Sequence, residues 1–255
     1  MSLLLVRGLS VRYGAVQAVD KVSFDVAAGQ IVAIIGPNGA GKSTCFNAIN
    51  GQCHPSAGEV LLGGRNIVGR SPEQIFQMGV GRTFQITATA SSMTVRENVQ
   101  MALISHGGRV QTLWQAARTL YRAEADHLLA SVGMAEQGDR PCGVLAYSDL
   151  KRLELAIALA NEPCLLLMDE PTAGMAPAER SDLMALVSRL SRERKIGVLF
   201  TEHDIDTVLS RADHIVVLNR GSIVAVGPPC DIRSNRHVQE IYLGAAATEV
   251  HSHSL

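Results

Sequence analysis

Short apolar runs, separated by glycine, proline and polar residues, recur along the chain and predict β-strands. They lie at 3–11, 22–26, 31–35, 59–62, 164–171, 196–200, 214–218 and 223–226. The first two runs predict an antiparallel hairpin with residues 13–21 as its connection, and 59–62 predicts a further strand of the same small sheet. The last two runs, separated by residues 219–222, predict a closing hairpin.

Apolar residues spaced three and four apart predict helices between these runs. The stretch 95–131 has this period, and Gly107-Gly108 divides it into two helices. A helix is predicted over 145–161, with Ser148 as its N-cap, and an amphipathic helix over 177–194. The stretch 79–85 is too short to assign by its period.

The alternation of apolar strands with helices predicts an α/β fold built on a parallel sheet. A continuous apolar run such as 164–171 is typical of a parallel strand that is buried on both faces. We expect one domain over 1–255, within which 86–162 forms an inserted helical subdomain that offers a surface to a partner. Residues 245–255 are expected to form a flexible tail.

The composition excludes several classes of protein. With 255 residues, of which 47% are hydrophobic, the chain can bury a large core. Its 23 Lys and Arg nearly balance 24 Asp and Glu, so the charge shows no footprint for nucleic acid. No apolar run approaches the ~20 residues that span a bilayer, and we expect a cytosolic or peripheral protein. The five cysteines include no C-x-x-C pair and are interpreted as reduced thiols.

The strand predicted at 31–35 leads into a glycine-rich turn and a helix. Gly36, Gly41, Lys42 and Ser43 have the spacing G-x-x-x-x-G-K-[ST]. In this motif backbone N–H groups surround nucleotide phosphates, the lysine reaches the terminal phosphates and the hydroxyl is a Mg²⁺ ligand. The alternative is a turn that binds nothing, which the strand–loop–helix context disfavours. The motif indicates a nucleoside triphosphatase without specifying which one.

Two adjacent carboxylates end the apolar run at 164–171. Asp169 is expected to hold Mg²⁺, directly or through water, and Glu170 to polarise an attacking water. His203 follows the next apolar strand, so it reaches the same sheet edge and can contact the terminal phosphate. The alternatives are a solvated pair of acids and a structural histidine.

Two other positions leave alternatives open. Tyr13, in the hairpin connection, either stacks on a purine ring with Val19 packing beside it or is an ordinary hairpin aromatic. Gln85 follows an aromatic residue at the start of an uncharged stretch, and by itself it is an ordinary polar residue. The pattern of the surrounding residues does not decide between these alternatives.

Taken together, these motifs resemble those of the ATP-binding cassette (ABC) ATPases over residues 3–244. GPNGAGKST at 36–44 is similar to Walker A, LLLMDE at 165–170 to Walker B, and LAYSD at 145–149 to the family signature. The resemblance implies a P-loop NTPase (RecA-like) core with an N-terminal antiparallel β subdomain and an inserted α-helical subdomain. It also implies that the chain binds ATP and Mg²⁺.

The resemblance assigns roles to single residues. Glu170 is implied to be the catalytic glutamate, His203 the switch histidine and Gln85 the Q-loop glutamine, which contributes to catalysis and also binds Mg²⁺ with Ser43 and Asp169. The residues implied to bind ATP are Tyr13, Val19, Gly36, Pro37, Asn38, Gly39, Ala40, Gly41, Lys42, Ser43, Thr44, Ala146, Tyr147, Ser148 and Asp149.

Within the family, the segments LAYSDLKRLELA, DEPTAGMAP, FTEHD and IYLGA resemble the ATPase subunits of branched-chain amino acid and related amide importers. This implies integral-membrane permease subunits, a second ATPase subunit and, indirectly, a periplasmic solute-binding protein, at the cytoplasmic face of the bacterial inner membrane. The alternatives are a soluble cassette ATPase acting on nucleic acid or ribosomes and a regulatory subunit that binds ATP without turnover. A second cassette or basic segments are expected of the first and are not found, while Glu170 and His203 disfavour the second.

The chain departs from the family pattern in three places, one of which is Ala158, where the signature helix often carries Arg. The signature commonly reads L-A-Y-G-Q, whereas Ser148 and Asp149 stand here, and Ala176 stands where the loop after Walker B usually carries Asp or Asn. The charge of Asp149 would lie near the ATP held by a partner cassette. We therefore expect an asymmetric heterodimer, in which the other subunit supplies a regular signature, with a homodimer as the alternative.

Overall fold

The computed structural model describes residues 2–83, 89–106 and 120–241. The strands are β1 (Ser2–Tyr13), β2 (Val16–Ala27), β3 (Ile31–Ile35), β4 (Ala57–Leu62), β5 (Arg65–Asn66), β6 (Val80–Thr83), β7 (Leu165–Asp169), β8 (Gly197–Thr201), β9 (His214–Asn219) and β10 (Ser222–Gly227). The helices are α1 (Lys42–Ile49), α2 (Pro72–Gln77), α3 (Val95–His106), α4 (Arg122–Ser131), α5 (Tyr147–Leu159), α6 (Pro177–Arg194), α7 (Ile205–Arg211) and α8 (Pro229–Ser234).

The first sheet is antiparallel, with strand order β2-β1-β4-β5. The predicted hairpin and the further strand are confirmed, but the expected connection over 13–21 is wrong. Tyr13 pairs with Val16, so only Gly14 and Ala15 lie between the two strands. Polar residues in this region alternate with buried ones along strands that expose one face, which is why the strands extend past the apolar runs.

The second sheet has strand order β10-β9-β3-β8-β7-β6, in which β9, β3, β8, β7 and β6 are parallel. The antiparallel strand β10 forms one edge. Strand β8 lies between β3 and β7 and pairs with both. Because the three strands are parallel, the loops that follow them meet at one edge of the sheet.

The two faces of this sheet pack against different layers. Ile31, Ala33 and Ile35 belong to a buried cluster with the helices, whereas Val32 and Ile34 belong to a second cluster with α1 and the antiparallel sheet. This is the alternation expected of a strand with two covered faces. Burying each large apolar side chain contributes about 1.5–3 kcal/mol, so β3 is held firmly from both sides.

Helices α3, α4 and α5 pack together through Val99, Leu129 and Leu153, which share the helical cluster with the sheet. The Gly107-Gly108 break lies outside the described residues, as does the tail at 245–255, and the subdivision at 86–162 stays a prediction. None of the helices in the described ranges combines the length and the apolar character needed to cross a membrane.

Candidate active site

A cavity of about 430 Å³ opens at the carboxyl edge of the parallel sheet. Its walls come from the loop after β3, the start of α1, the β1–β2 hairpin, and the loops that follow β7, β8 and β9. The lining residues are Val16, Gln17, Ala18, Asn38, Gly39, Ala40, Gly41, Lys42, Ser43, Thr44, Glu170, His203 and Arg220. The loop segments at 38–44, predicted to bind phosphate, therefore share one cavity with Glu170 and His203.

Two glycines allow the loop after β3 to lie close to its neighbours. Gly36 has φ 154°, and a Cβ there would lie 2.1 Å from the carbonyl oxygen of Leu218. Gly41 has φ 100°, and a Cβ there would lie 2.5 Å from the carbonyl oxygen of Ala18. Gly41 is also the N-cap of α1, and since no side chain caps this helix, its first N–H groups are available to a ligand.

The Lys42 side chain is 7% exposed and folds back on the loop. Its Nζ donates to the carbonyl oxygens of Gly36 at 2.7 Å and Pro37 at 3.3 Å. Burial lowers the pKa of Lys42, and attraction to Glu170 and Asp169 opposes this shift. The Lys42 ammonium therefore lies at the cavity, bonded to neutral acceptors that phosphate oxygens can replace.

Asp169 ends β7 and is 8% exposed. Its Oδ1 accepts a hydrogen bond of 2.6 Å from Thr201 Oγ1 on the neighbouring strand, and its Oδ2 lies 3.7 Å from Arg82 Nη2. Arg82 also donates to the side chains of Asn47, in the last turn of α1, and Gln52, which follows that helix. The carboxylate is thus oriented by the strands on both sides, and burial lowers the pKa of Arg82.

Glu170 and His203 form a direct pair. Glu170 Oε1 lies 2.6 Å from His203 Nε2. Glu170 has φ 49°, an unusual backbone conformation for a residue with a side chain. Its N–H bonds to Thr201, at 3.2 Å to the carbonyl oxygen and 3.1 Å to Oγ1. A carboxylate and an imidazole in contact beside a phosphate-binding loop can orient a water and share its proton.

The β1–β2 hairpin contributes one wall of the cavity, and the predicted contacts of Tyr13 and Val19 with ATP stay predictions. Val19 is fully buried in the core and does not line the cavity, whereas Val16, which is 65% exposed, does. Val19 pairs with Val11 in the interior of the sheet, so its side chain points toward the core. Tyr13 is 52% exposed and is not among the lining residues, and hydrogen bonding to Cys53 raises its pKa.

The signature residues 145–149 begin helix α5. The prediction that Ser148 is the N-cap is wrong, because Ala146 has the extended backbone of that position, with φ −64° and ψ 156°. Ser148 and Asp149 therefore lie inside the first turn. Residues 146–149 do not line the cavity of this chain. The Tyr147 ring packs near the loop after Glu170, since a Cβ on Gly174 would lie 3.7 Å from it.

Other sequence expectations have mixed outcomes. Gln85 lies outside the described residues. Ala176 occupies the N-cap of α6, where it has no side-chain acceptor, and its N–H donates instead to Glu179 at 3.2 Å. All five cysteines are free, as expected.

Several residues at the site were not singled out from the sequence. Val16, Gln17, Ala18 and Arg220 line the cavity, and Arg220 belongs to the β9–β10 turn. This turn is held against the phosphate-binding loop because Gly221 N donates to the Ala40 carbonyl oxygen at 3.0 Å. The N-R-G-S sequence signals a turn, but no local signal shows that the turn meets a loop 180 residues earlier in the chain.

The site combines a glycine-rich loop before a helix without a side-chain cap, an acid pair at the end of a second parallel strand, and a histidine after the strand between these two. These features define a P-loop nucleoside triphosphatase. The family model described as "ABC transporter" matches residues 19–173, which is more than half of the chain. The chain belongs to the ABC transporter family, and the fold class and family expected from the sequence are confirmed.

The sequences of known relatives align with this one along nearly the whole chain. BraF of Pseudomonas aeruginosa, a high-affinity branched-chain amino acid transport ATP-binding protein, is 39% identical over 251 residues, which cover 96% of this chain and 98% of BraF. LivG of Escherichia coli, with the same description, is 37% identical over 253 residues, covering 96% and 98%.

Solved structures of ABC transporter cassettes also match nearly the whole chain. An ATP-binding cassette of an ABC transporter in its ADP conformation is 31% identical, with a TM-score of 0.84, covering 96% of this chain and 99% of the cassette. A nucleotide-free cassette is 30% identical, with a TM-score of 0.83, covering 95% and 99%. The chain is thus an ATPase of the ABC class.

Proposed function

We propose that this chain is the ATP-binding and ATP-hydrolysing subunit of an importer for branched-chain amino acids or a related small solute. The observation that carries the proposal is one cavity lined by the phosphate-binding loop, Glu170 and His203. Near-full-length similarity to transport ATP-binding proteins supports the choice of solute class.

In this proposal the triphosphate of ATP lies along residues 38–44, where the N–H groups at the start of α1 and the positive end of its dipole favour anionic groups. Lys42 turns from the Gly36 and Pro37 carbonyl oxygens to the terminal phosphates. Arg220, which also lines the cavity, adds a second positive charge. Tyr13, close to the start of α1, stacks on the adenine.

Mg²⁺ fits the donor set, since a hydroxyl and a carboxylate are the hard oxygen ligands that this ion takes. Ser43 and Asp169 would hold it, with Gln85 as a further ligand. When bound, the ion supplies neutralisation of the charge on the phosphate oxygens. Thr201 and Arg82, which orient the Asp169 carboxylate, keep it directed for this purpose.

Hydrolysis then depends on Glu170, which orients and polarises the attacking water. His203 holds the Glu170 carboxylate in the ligand-free chain and contacts the terminal phosphate when ATP is bound. The exchange of partners is possible because the imidazole is half exposed at the cavity wall. When ATP binds, His203 leaves Glu170 for the terminal phosphate. The Glu170 carboxylate is then released to act as the general base.

We further propose that the chain works at the cytoplasmic face of a bacterial inner membrane, bound to permease subunits and indirectly served by a periplasmic solute-binding protein. Co-purification tests this assembly. The full-length chain, expressed with its neighbouring permease genes and extracted in detergent, is expected to retain integral-membrane subunits, and stimulation of ATPase in proteoliposomes by candidate solutes identifies the cargo. Recovery of the chain without membrane subunits would contradict the proposal.

The second ATPase subunit is proposed to be a different chain. In a closed dimer Asp149, in the first turn of α5, would bring a negative charge toward the partner's ATP. The site formed by this chain's phosphate-binding loop and the partner's signature would then carry most turnover. Glu170→Gln is expected to reduce ATPase of the assembled transporter more than the matching change in the partner. Equal losses, or a fully active homodimer, would exclude the asymmetry.

A further inference from the structure

Glu202 is a buried carboxylate next to His203, and it is 4% exposed. Both of its oxygens accept hydrogen bonds. Oε1 accepts from the Thr172 N–H at 3.0 Å and from Thr172 Oγ1 at 2.6 Å, and Oε2 accepts from the His203 N–H at 3.2 Å. All three donors are neutral, so a charged carboxylate at this depth depends on them for its solvation.

These bonds join two loops. Thr172 lies two residues after Glu170 in the loop after β7, and Glu202 and His203 are the first two residues of the loop after β8. A single side chain therefore fixes the backbone beside each member of the Glu170–His203 pair. Thr201 forms a second connection on the other side of Glu202, because it bonds to the Glu170 N–H.

The pair has little else to position it. Within the described ranges, the only hydrogen bond of either the Glu170 or the His203 side chain is to the other. Their separation of 2.6 Å is thus set by where the two backbones lie. The φ of 49° at Glu170 is also a conformation that persists only when surrounding contacts hold it.

We propose that Glu202 is a positioning residue, which sets the separation and orientation of Glu170 and His203 by holding the Thr172 and His203 backbones on one carboxylate. The inference rests on the proposed roles of Glu170 and His203 in hydrolysis. Glu202 itself touches no part of the cavity, since it is absent from the lining.

Glu202→Gln tests this, with turnover measured in the assembled transporter and ATP binding measured in the purified full-length chain. A carboxamide keeps one acceptor, so its NH₂ group must face an N–H donor of either Thr172 or His203, and one loop is released. Displacement of a catalytic group by about 1 Å costs on the order of 10²-fold in rate. We expect kcat to fall by about this factor, while KM for ATP and the dissociation constant for ATP in EDTA change less than about threefold.

A matched control is Asp213→Asn. Asp213 Oδ2 likewise accepts a backbone N–H, from Ile31 at 2.8 Å, but at the opposite edge of the same sheet. We expect this variant to lose thermal stability and to keep its kcat.

Thr172→Val and Thr172→Ser form a second pair, because valine lacks the hydroxyl that donates to Glu202 and serine restores it. A reduced kcat in the valine variant, with recovery in the serine variant, is expected.

If Glu202→Gln does not fold, the kcat values of the two Thr172 variants test the inference instead. Wild-type kcat in Glu202→Gln or Thr172→Val would overturn the inference, as would an equal loss in Asp213→Asn. Glu170→Gln is measured in parallel to separate the two proposals. Full turnover in Glu170→Gln would remove the proposed hydrolytic role, whereas full turnover in Glu202→Gln beside an inactive Glu170→Gln would remove only the positioning role.

Discussion

Lys42→Met is the sharpest test of the phosphate-binding loop, because methionine keeps most of the buried stem and removes only the charge. In the ligand-free chain the Lys42 ammonium donates to the carbonyl oxygens of Gly36 and Pro37. Binding of ATP requires it to exchange these neutral acceptors for charged phosphate oxygens. The change in affinity is therefore the difference between two sets of hydrogen bonds.

The magnitude follows from that difference. Hydrogen bonds to charged groups contribute about 1.5–3 kcal/mol each, and neutral ones about 0.5–1.5 kcal/mol. Exchanging two hydrogen bonds to neutral carbonyl oxygens for two to charged phosphate oxygens then favours ATP binding by about 2–3 kcal/mol. We therefore expect Lys42→Met to weaken ATP binding by about 10²-fold. The stability of the ligand-free chain should change little, because the variant removes a buried charge but leaves two carbonyl oxygens without their donor.

Isothermal titration with ATP, together with thermal unfolding of the ligand-free chain, measures both quantities. Lys21→Met is the control, since Lys21 is exposed on β2 and away from the cavity, and it should bind ATP as the wild type does. An affinity for ATP within about threefold of wild type in Lys42→Met, which is less than 1 kcal/mol, would refute the assignment of this loop to the phosphates.

Three further outcomes are expected. Glu170→Gln should bind ATP but hydrolyse it ~10²- to 10⁴-fold more slowly in a phosphate-release assay, because an amide cannot polarise water, and turnover at the wild-type rate would make Glu170 a structural acid. Tyr13→Ala should weaken ATP by ~1–3 kcal/mol, whereas Tyr13→Phe keeps the ring and most of the affinity, and equal titrations for the two variants would exclude stacking. Arg220→Gln should raise the dissociation constant for ATP by about tenfold and reduce its dependence on salt, and a titration with unchanged salt dependence would show that Arg220 does not contact the phosphates.

The sequence by itself determined the parts of the site that are local in the chain. The strand β3, the loop and α1 follow one another within 20 residues, and the glycine spacing is dictated by the backbone of that loop. Likewise, the apolar run of β7 ends in Asp169 and Glu170, which places both carboxylates at the sheet edge. Local steric requirements leave a pattern in the residues themselves, and this part of the site could be predicted from that pattern.

Local patterns were less reliable where packing sets the boundary of an element. Helix α5 begins before Ser148 because Ala146 has the extended conformation of the N-cap, although serine is the better capping residue. Val19 pairs with Val11 and lies in the core, whereas Val16 of the same strand lines the cavity, and a contact of Val19 with ATP stays a prediction. Pairing with Val11 is a contact that the residues next to Val19 in the sequence do not reveal.

Only the tertiary structure decided how the distant segments meet. The insertion of β8 between β3 and β7 places His203 2.6 Å from Glu170, although 33 residues separate them in the chain. The same strand order brings Thr201 to Asp169 and Glu202 to Thr172, and the turn with Arg220 packs on the phosphate-binding loop. These contacts depend on strand order and register, which are set by burial of both sheet faces at once, and no single segment of the sequence contains that information.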